Sequence, residues 1–129
     1  MKSKIKFGII GCSSIAKKST IPAIMSNKTS SVEIIGSRSI AKAKAFAQEF
    51  NCNEFGNYYD VLKNKNIDAV YISLPMNMHE KWAIKAAKAG KHILCEKSLA
   101  LSYNSAKKIV KECKNNNVKI IENFVFKFH

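Results

Sequence analysis

Two short stretches carry residue types suited to a phosphorylated ligand. The first is Gly11-Cys12-Ser13-Ser14-Ile15-Ala16, which follows an apolar run and opens a helical pattern. A turn in that position aims free backbone N–H groups and the positive end of a helix at an anion. The spacing approximates G-x-G-x-x-G/A, the pyrophosphate-binding fingerprint of dinucleotide folds. Gly11 and the small Ala16 satisfy it, whereas Ser13 stands in place of the second glycine. A Cβ at Ser13 obstructs close approach of backbone to phosphate, though its hydroxyl could donate to one. Ser14 and Ile15 would then present the first N–H groups of the helix.

The second stretch is Gly36-Ser37-Arg38-Ser39. Folds that take NAD usually place Asp or Glu at the end of the second strand, where it binds the ribose 2′-hydroxyl. No carboxylate stands here, and Glu33 lies too early, in mid-strand. A hydroxyl beside the only arginine suits a 2′-phosphate, because guanidinium and phosphate make charge-assisted, often bidentate bonds. Lys42, one helical turn further on, adds a second cation. The expected cofactor is therefore NADP, with NAD the alternative. The competing reading of Arg38 is a solvated surface residue.

These stretches must be held by the elements around them. Lys4 to Ile10 reads as a buried strand, and a helix is expected from about Ser14, kinked or restarted at Pro22. Val32 to Gly36 is a second strand. Ser39 caps a helix whose apolar positions are Ile40, Ala43, Ala47 and Phe50. Cys52 to Phe55 is a short strand and Asn57 to Lys63 a short helix. Ile67 to Ser73 is a strand, Met78 to Ala89 a helix closed by Gly90, and His92 to Cys95 a strand. Ser102 caps a helix to about Asn115, and Val118 to Glu122 is the last strand. Strand and helix alternate throughout, which specifies an α/β fold, a doubly wound parallel sheet of Rossmann type in a single domain.

Composition excludes other classes. The chain has 129 residues and an apolar share of 47%, enough for one globular core. It contains no apolar run long enough to span a membrane, and the basic N-terminus leads into a strand pattern, so the expected location is cytoplasmic. The net charge of +13 raises nucleic acid as a partner. The excess is almost all lysine, spread along the chain and mostly at helix surface positions, whereas readers of bases and phosphates favour arginine; no nucleic-acid or membrane partner is expected. Cys12, Cys52, Cys95 and Cys113 show neither zinc nor disulfide spacing, so they read as reduced, mostly buried thiols and no metal site is expected.

Three further segments carry a family resemblance. They are Leu74-Pro75-Met76-Asn77-Met78-His79-Glu80-Lys81-Trp82-Ala83, Gly90-Lys91-His92-Ile93-Leu94-Cys95-Glu96-Lys97-Ser98-Leu99-Ala100, and Glu122-Asn123-Phe124-Val125-Phe126-Lys127-Phe128-His129. Together they resemble the Gfo/Idh/MocA oxidoreductases over essentially the whole chain. The second segment is similar to that family's A-G-K-H-[IV]-x-C-E-K-P-[LA] signature, with Ser98 in place of the usual proline. Met76 stands where an Asn often follows Pro75. The resemblance implies that Lys97 is catalytic, beside the nicotinamide and the reacting hydroxyl, which it orients and helps to deprotonate. Its ammonium is a strong donor whose pKa falls on burial or near other cations. Glu96 would line the nicotinamide ribose pocket, and Leu74, Pro75 and His79 would shape it. Read without the family, Lys97 is one lysine among many, His79 a surface histidine at a helix start, and Trp82 core packing.

Enzymes of this family are more than twice as long, with a second, largely antiparallel domain that carries much of the substrate pocket. Residues 1–122 are therefore expected to form the dinucleotide-binding domain, and 123–129 to start the connection to a second domain that this chain lacks. His129 falls just before that domain and is not a candidate base. The expected function is the nucleotide-binding part of an NAD(P)-dependent oxidoreductase acting on a sugar, a polyol or a related hydroxyl or carbonyl substrate. The alternative is a non-catalytic NAD(P)-binding or regulatory module. A truncated or split oxidoreductase, a stand-alone module and a piece cut at the domain boundary all fit. Exposure of the surface that a second domain would cover favours self-association or a complementing chain.

Overall fold

The structure, a computed structural model, describes residues 4–123. The expected connection over 123–129 and His129 therefore lie, from residue 124 on, outside the described residues. Six strands form one parallel sheet: β1 (Ile5–Ile10), β2 (Ser30–Gly36), β3 (Glu54–Gly56), β4 (Ala69–Ile72), β5 (His92–Glu96) and β6 (Ile120–Asn123), in the order β3-β2-β1-β4-β5-β6. The helices between them are α1 (Ile21–Ser26), α2 (Ile40–Glu49), α3 (Tyr58–Lys63), α4 (His79–Lys88) and α5 (Tyr103–Asn115). This is the doubly wound fold expected from the alternation of elements. Its strand order reverses between β1 and β4, which opens a crevice at their C-terminal ends.

Adjacent strand residues point to opposite faces, so neighbouring isoleucines divide between two cores. Ile10, Ile34, Val70 and Ile72 join α3, α4 and α5, with Val61, Trp82, Ala83 and Ile109. Ile9, Ile35 and Tyr71 join α1 and α2, with Ile21, Ile24, Phe46 and Ala47. All four residues of β4 are buried, as a strand covered on both faces requires. The second face is less completely covered toward its far edge. Leu94 is half-buried there, and Ile121, its register partner on β6, is 64% exposed.

Local chemistry accounts for the helix ends. The segment 14–26 begins as helix at Ser14, as expected, passes through a π-helical turn at Ala16–Thr20 and restarts at Ile21 with Pro22 in the first turn. Proline has no N–H to give the preceding turn, so the ladder shifts register, and Ile21 N–H reaches Ala16 O instead. Ser39 caps α2 by accepting from Lys42 N–H, as expected. Ile40, expected on the buried face of α2, is half exposed, while Phe46 is buried in its place. Ile40 is the first residue of the helix and lies before the turn that meets the sheet. Asn57 and Asp60 close a capping box on α3. Helix α4 starts at His79 rather than Met78, because Pro75 leads into a single 3-10 turn over Met76–Met78.

Lys91 departs from the expectation that the lysines coat helix surfaces. It is buried, and its ammonium donates to Asn64 O at 2.7 Å and Ile67 O at 3.1 Å. Burial lowers its pKa, opposed by the nearby Asp68 carboxylate. Lys91→Met should cost about 1–3 kcal/mol by leaving both carbonyls without their charged donor. Thermal melting checks this; an unchanged midpoint would mean that water replaces the ammonium. No helix of the described residues is long and apolar enough to cross a membrane.

Candidate cofactor site

The C-terminal ends of β1, β2 and β4 enclose a groove of about 290 Å³. It is lined by Gly11, Cys12 and Ser13 after β1, by Ser37, Arg38, Ser39 and Lys42 after β2, by Tyr58 from α3, and by Ser73 and Leu74 after β4. Thus the phosphate turn and the Ser37–Arg38 stretch, 24 residues apart between Ser13 and Ser37, share one surface. Two cations and several hydroxyls face it, and no carboxylate lines it. Glu33 lies elsewhere, beside Asn51–Glu54. Such a lining suits an anionic phosphate and offers no acid for a free 2′-hydroxyl. The volume is small for a whole dinucleotide and fits one half of it.

Gly11 takes φ +107°, and a Cβ on it would collide with the Ser73 carbonyl. This is the close approach that the first glycine of the fingerprint permits. Ser13 behaves differently from a phosphate donor held free. Its Oγ accepts from Ala16 N–H at 3.1 Å, capping the helix, and pairs with the Ser73 hydroxyl. Ser14, by contrast, is exposed, and Ile15 is half-buried at the first turn. Their N–H groups precede any intrahelical acceptor.

After β2, the Ser37 hydroxyl is buried and accepts from Ser39 N–H at 3.1 Å. It shapes the turn from which the exposed Arg38 projects. Arg38 makes no ion pair with any carboxylate among the described residues, where Lys17–Glu49 at 3.3 Å is the pair present. Tyr58, near Arg38, has its pKa raised by burial, with the Arg38 charge opposing. Burial pushes the Cys12 thiol up to about 11, despite Lys42 and Ser37 nearby, so it stays protonated at neutral pH and is no nucleophile. Neither Tyr58 nor Cys12 was expected in the site. Cys12 lay inside the turn motif, while Tyr58 offered no local signal.

The second half of the expected site lies along the same sheet edge, after β4 and β5. Lys97 is exposed immediately beyond β5, and Glu96 is half-buried. His79 corrects the surface reading, because it is fully buried. Its Nε2 lies 2.8 Å from Leu74 O and its Nδ1 2.8 Å from Ser98 O. The ring therefore ties the turn after β4 to the turn carrying Lys97, and exposed Pro75 begins the chain between Leu74 and the ring. Glu122 holds the same turn from β6, accepting from Leu99 N–H at 2.6 Å. Sequence reasoning singled out neither Glu122 nor Ser73 for the site. Trp82 is core, with its ring against Tyr58 at 4.9 Å between centroids. Among the described residues no three His, Cys, Asp or Glu side chains gather as metal ligands.

Comparison with known proteins fits this geometry. The profile of the GFO_IDH_MocA oxidoreductase family, NAD-binding Rossmann fold, matches residues 5–124. The dTDP-3,4-didehydro-2,6-dideoxy-alpha-D-glucose 3-reductase of Saccharopolyspora spinosa is 35% identical over 129 residues, covering 100% of this chain and 39% of that protein. The D-xylose 1-dehydrogenase (NADP(+)) 2 of Haloferax volcanii is 37% identical over 124 residues, covering 95% and 38% respectively. Among solved structures, KijD10, a 3-ketoreductase from Actinomadura kijaniata in complex with TDP-benzene and NADP, superposes with a TM-score of 0.91. It is 33% identical, over 95% of this chain and 39% of that one. The chain thus spans under two-fifths of the length of these relatives.

Proposed function

Because the chain belongs to the Gfo/Idh/MocA oxidoreductase family, we propose that it is the cofactor-binding part of an NAD(P)-dependent oxidoreductase that prefers NADP and acts on a sugar, a polyol or a related hydroxyl or carbonyl compound. The single observation that carries the cofactor preference is the acid-free groove with Arg38 and Lys42 at its rim. Relatives named as an NADP(+)-dependent xylose dehydrogenase and a dTDP-sugar reductase support the substrate class.

In this reading the backbone N–H groups at Ser14 and Ile15 bind the pyrophosphate, with Gly11 allowing the turn to close and Ser13 capping it. Arg38 and Lys42 bind the 2′-phosphate, and Ser37 fixes the turn that presents Arg38. Leu74, Pro75 and Glu96 border the nicotinamide half, and His79 holds Leu74 and the Lys97 turn in register. A nicotinamide held there would supply the hydride chemistry. Lys97, whose ammonium is exposed at the sheet edge, donates to the reacting oxygen of the substrate and passes or holds its proton. Residues 1–122 form the cofactor-binding domain, and 123–129 lead toward the substrate-binding part. The open apolar strip at Ile5 and Ile121 is the surface available to that part, or to a second chain.

Titration with NADP should raise the melting temperature, because a ligand of the folded state stabilises it by about 2.7 kcal/mol at a hundredfold excess over Kd. For a domain of this size that is a rise of roughly 10 °C. No rise with either NADP or NAD would refute the cofactor assignment.

A further inference from the structure

Behind the groove, the sheet edge buries a phenol that the roles above leave unused. At its centre is Tyr71, fully buried on β4 between Val70 and Ile72. A phenylalanine would fill the same space, so the hydroxyl is the part that needs explaining, and a buried phenol requires partners. It donates to Glu96 Oε2. Glu96 Oε2 accepts a second hydrogen bond, from Asn123 Nδ2 at 3.2 Å, and the same amide lies 3.5 Å from Thr20 Oγ1. The ends of β4, β5 and β6 thus meet at the Glu96 carboxylate, and Asn123 extends the contact to Thr20 in the first helical segment. Burial, and then the hydrogen bond to Glu96, raise its pKa well above the ordinary tyrosine value, so it remains a donor at every physiological pH.

We propose that Tyr71 is a positioning residue of the cofactor site, whose hydroxyl fixes the Glu96 carboxylate at the nicotinamide end. This rests on the dinucleotide reading of the groove. Glu96 directly precedes Lys97, so the same hydrogen bond sets where the Lys97 turn leaves β5. The adenosine half of the ligand, held by Arg38 and Lys42, does not depend on it.

The test compares two probes, NADP and 2′,5′-ADP, on the chain and on Tyr71→Phe. Removing the hydroxyl while keeping the ring should weaken NADP about tenfold, as loss of a hydrogen bond to a charged group does. Binding of 2′,5′-ADP should stay within about twofold, and the emission of bound NADPH should shift as the nicotinamide loses its seat. Asn123→Ala, which removes the other donor to Glu96, should produce the same split if Tyr71→Phe does not fold. In a Glu96→Ala background, Tyr71→Phe should add nothing, because the partner through which it acts is gone. Equal weakening of both probes, or additive losses with Glu96→Ala, would assign Tyr71 a purely structural role and overturn the proposal. If the unsubstituted chain bound neither probe, the cofactor reading itself would fall, and this inference with it.

Discussion

Replacing Arg38 with alanine should weaken NADP binding about 10- to 100-fold while leaving NAD within about threefold. The size follows from the loss of a charge-assisted, bidentate contact to phosphate. Its selectivity follows from geometry. Arg38 is exposed at the groove rim, and no carboxylate among the described residues neutralises it. Its guanidinium is therefore available to a ligand and is not committed to the fold. The Ser37 and Ser39 hydroxyls build the turn beneath it by accepting from Ser39 N–H and Lys42 N–H respectively; these bonds do not involve the Arg38 side chain. The substitution should thus leave the melting temperature of the free protein almost unchanged. Titration calorimetry with both cofactors measures the split. An equal loss for NADP and NAD would eliminate the 2′-phosphate assignment and return Arg38 to the solvated surface.

A comparably large effect is expected at Gly11, by a different route. Gly11→Ala should lower stability by about 2–4 kcal/mol and abolish the thermal shift produced by NADP. The residue holds φ +107°, where an L side chain is strained, and the added Cβ meets the Ser73 carbonyl. That carbonyl has little freedom to yield. Ser73 N–H donates to Ile10 O at 2.8 Å, while Gly11 N–H donates to Gly36 O at 3.0 Å. The collision therefore falls where the ends of β1, β2 and β4 are stitched together. Gly90 provides the control, since its φ of +77° is also left-handed but nothing lies within 4 Å of its ideal Cβ. Gly90→Ala should cost only the conformational part, roughly 1 kcal/mol. Similar melting temperatures for the two variants would show that the approach of Ser73 to Gly11 does not limit the turn.

The two halves of the site differ in how they could be read from residues alone. Gly11 to Ala16 and Ser37–Arg38 each signal within a few positions, because turn geometry and phosphate chemistry are local. Lys97 and Glu96 had no such local signal and were reached through resemblance to a family. Taken alone, His79 reads as a surface histidine at a helix start, and the family resemblance places it at the pocket; its burial depends on the turn after β5 folding over it. Tyr71 looked like one apolar strand residue among several. Its role depends on Glu96, 25 positions away. Lys91 carries no local signal, because the two carbonyls around its ammonium lie 24 and 27 positions away.

By itself the sequence determined the succession of strands and helices, the restart at Pro22 and the cap at Ser39. It also determined which two turns could meet phosphate. These features follow from hydrophobic period, backbone restriction and side-chain hydrogen bonds that act within one or two turns of chain. Only the tertiary structure decided that β1 lies between β2 and β4, so that the turns after all three strands form one groove. Only it brought a phenol, an amide and a carboxylate together at the ends of β4, β5 and β6. The reason is that strand order is selected by burying both sheet faces at once, and polar groups far apart in the chain find their partners only after that burial has brought them together.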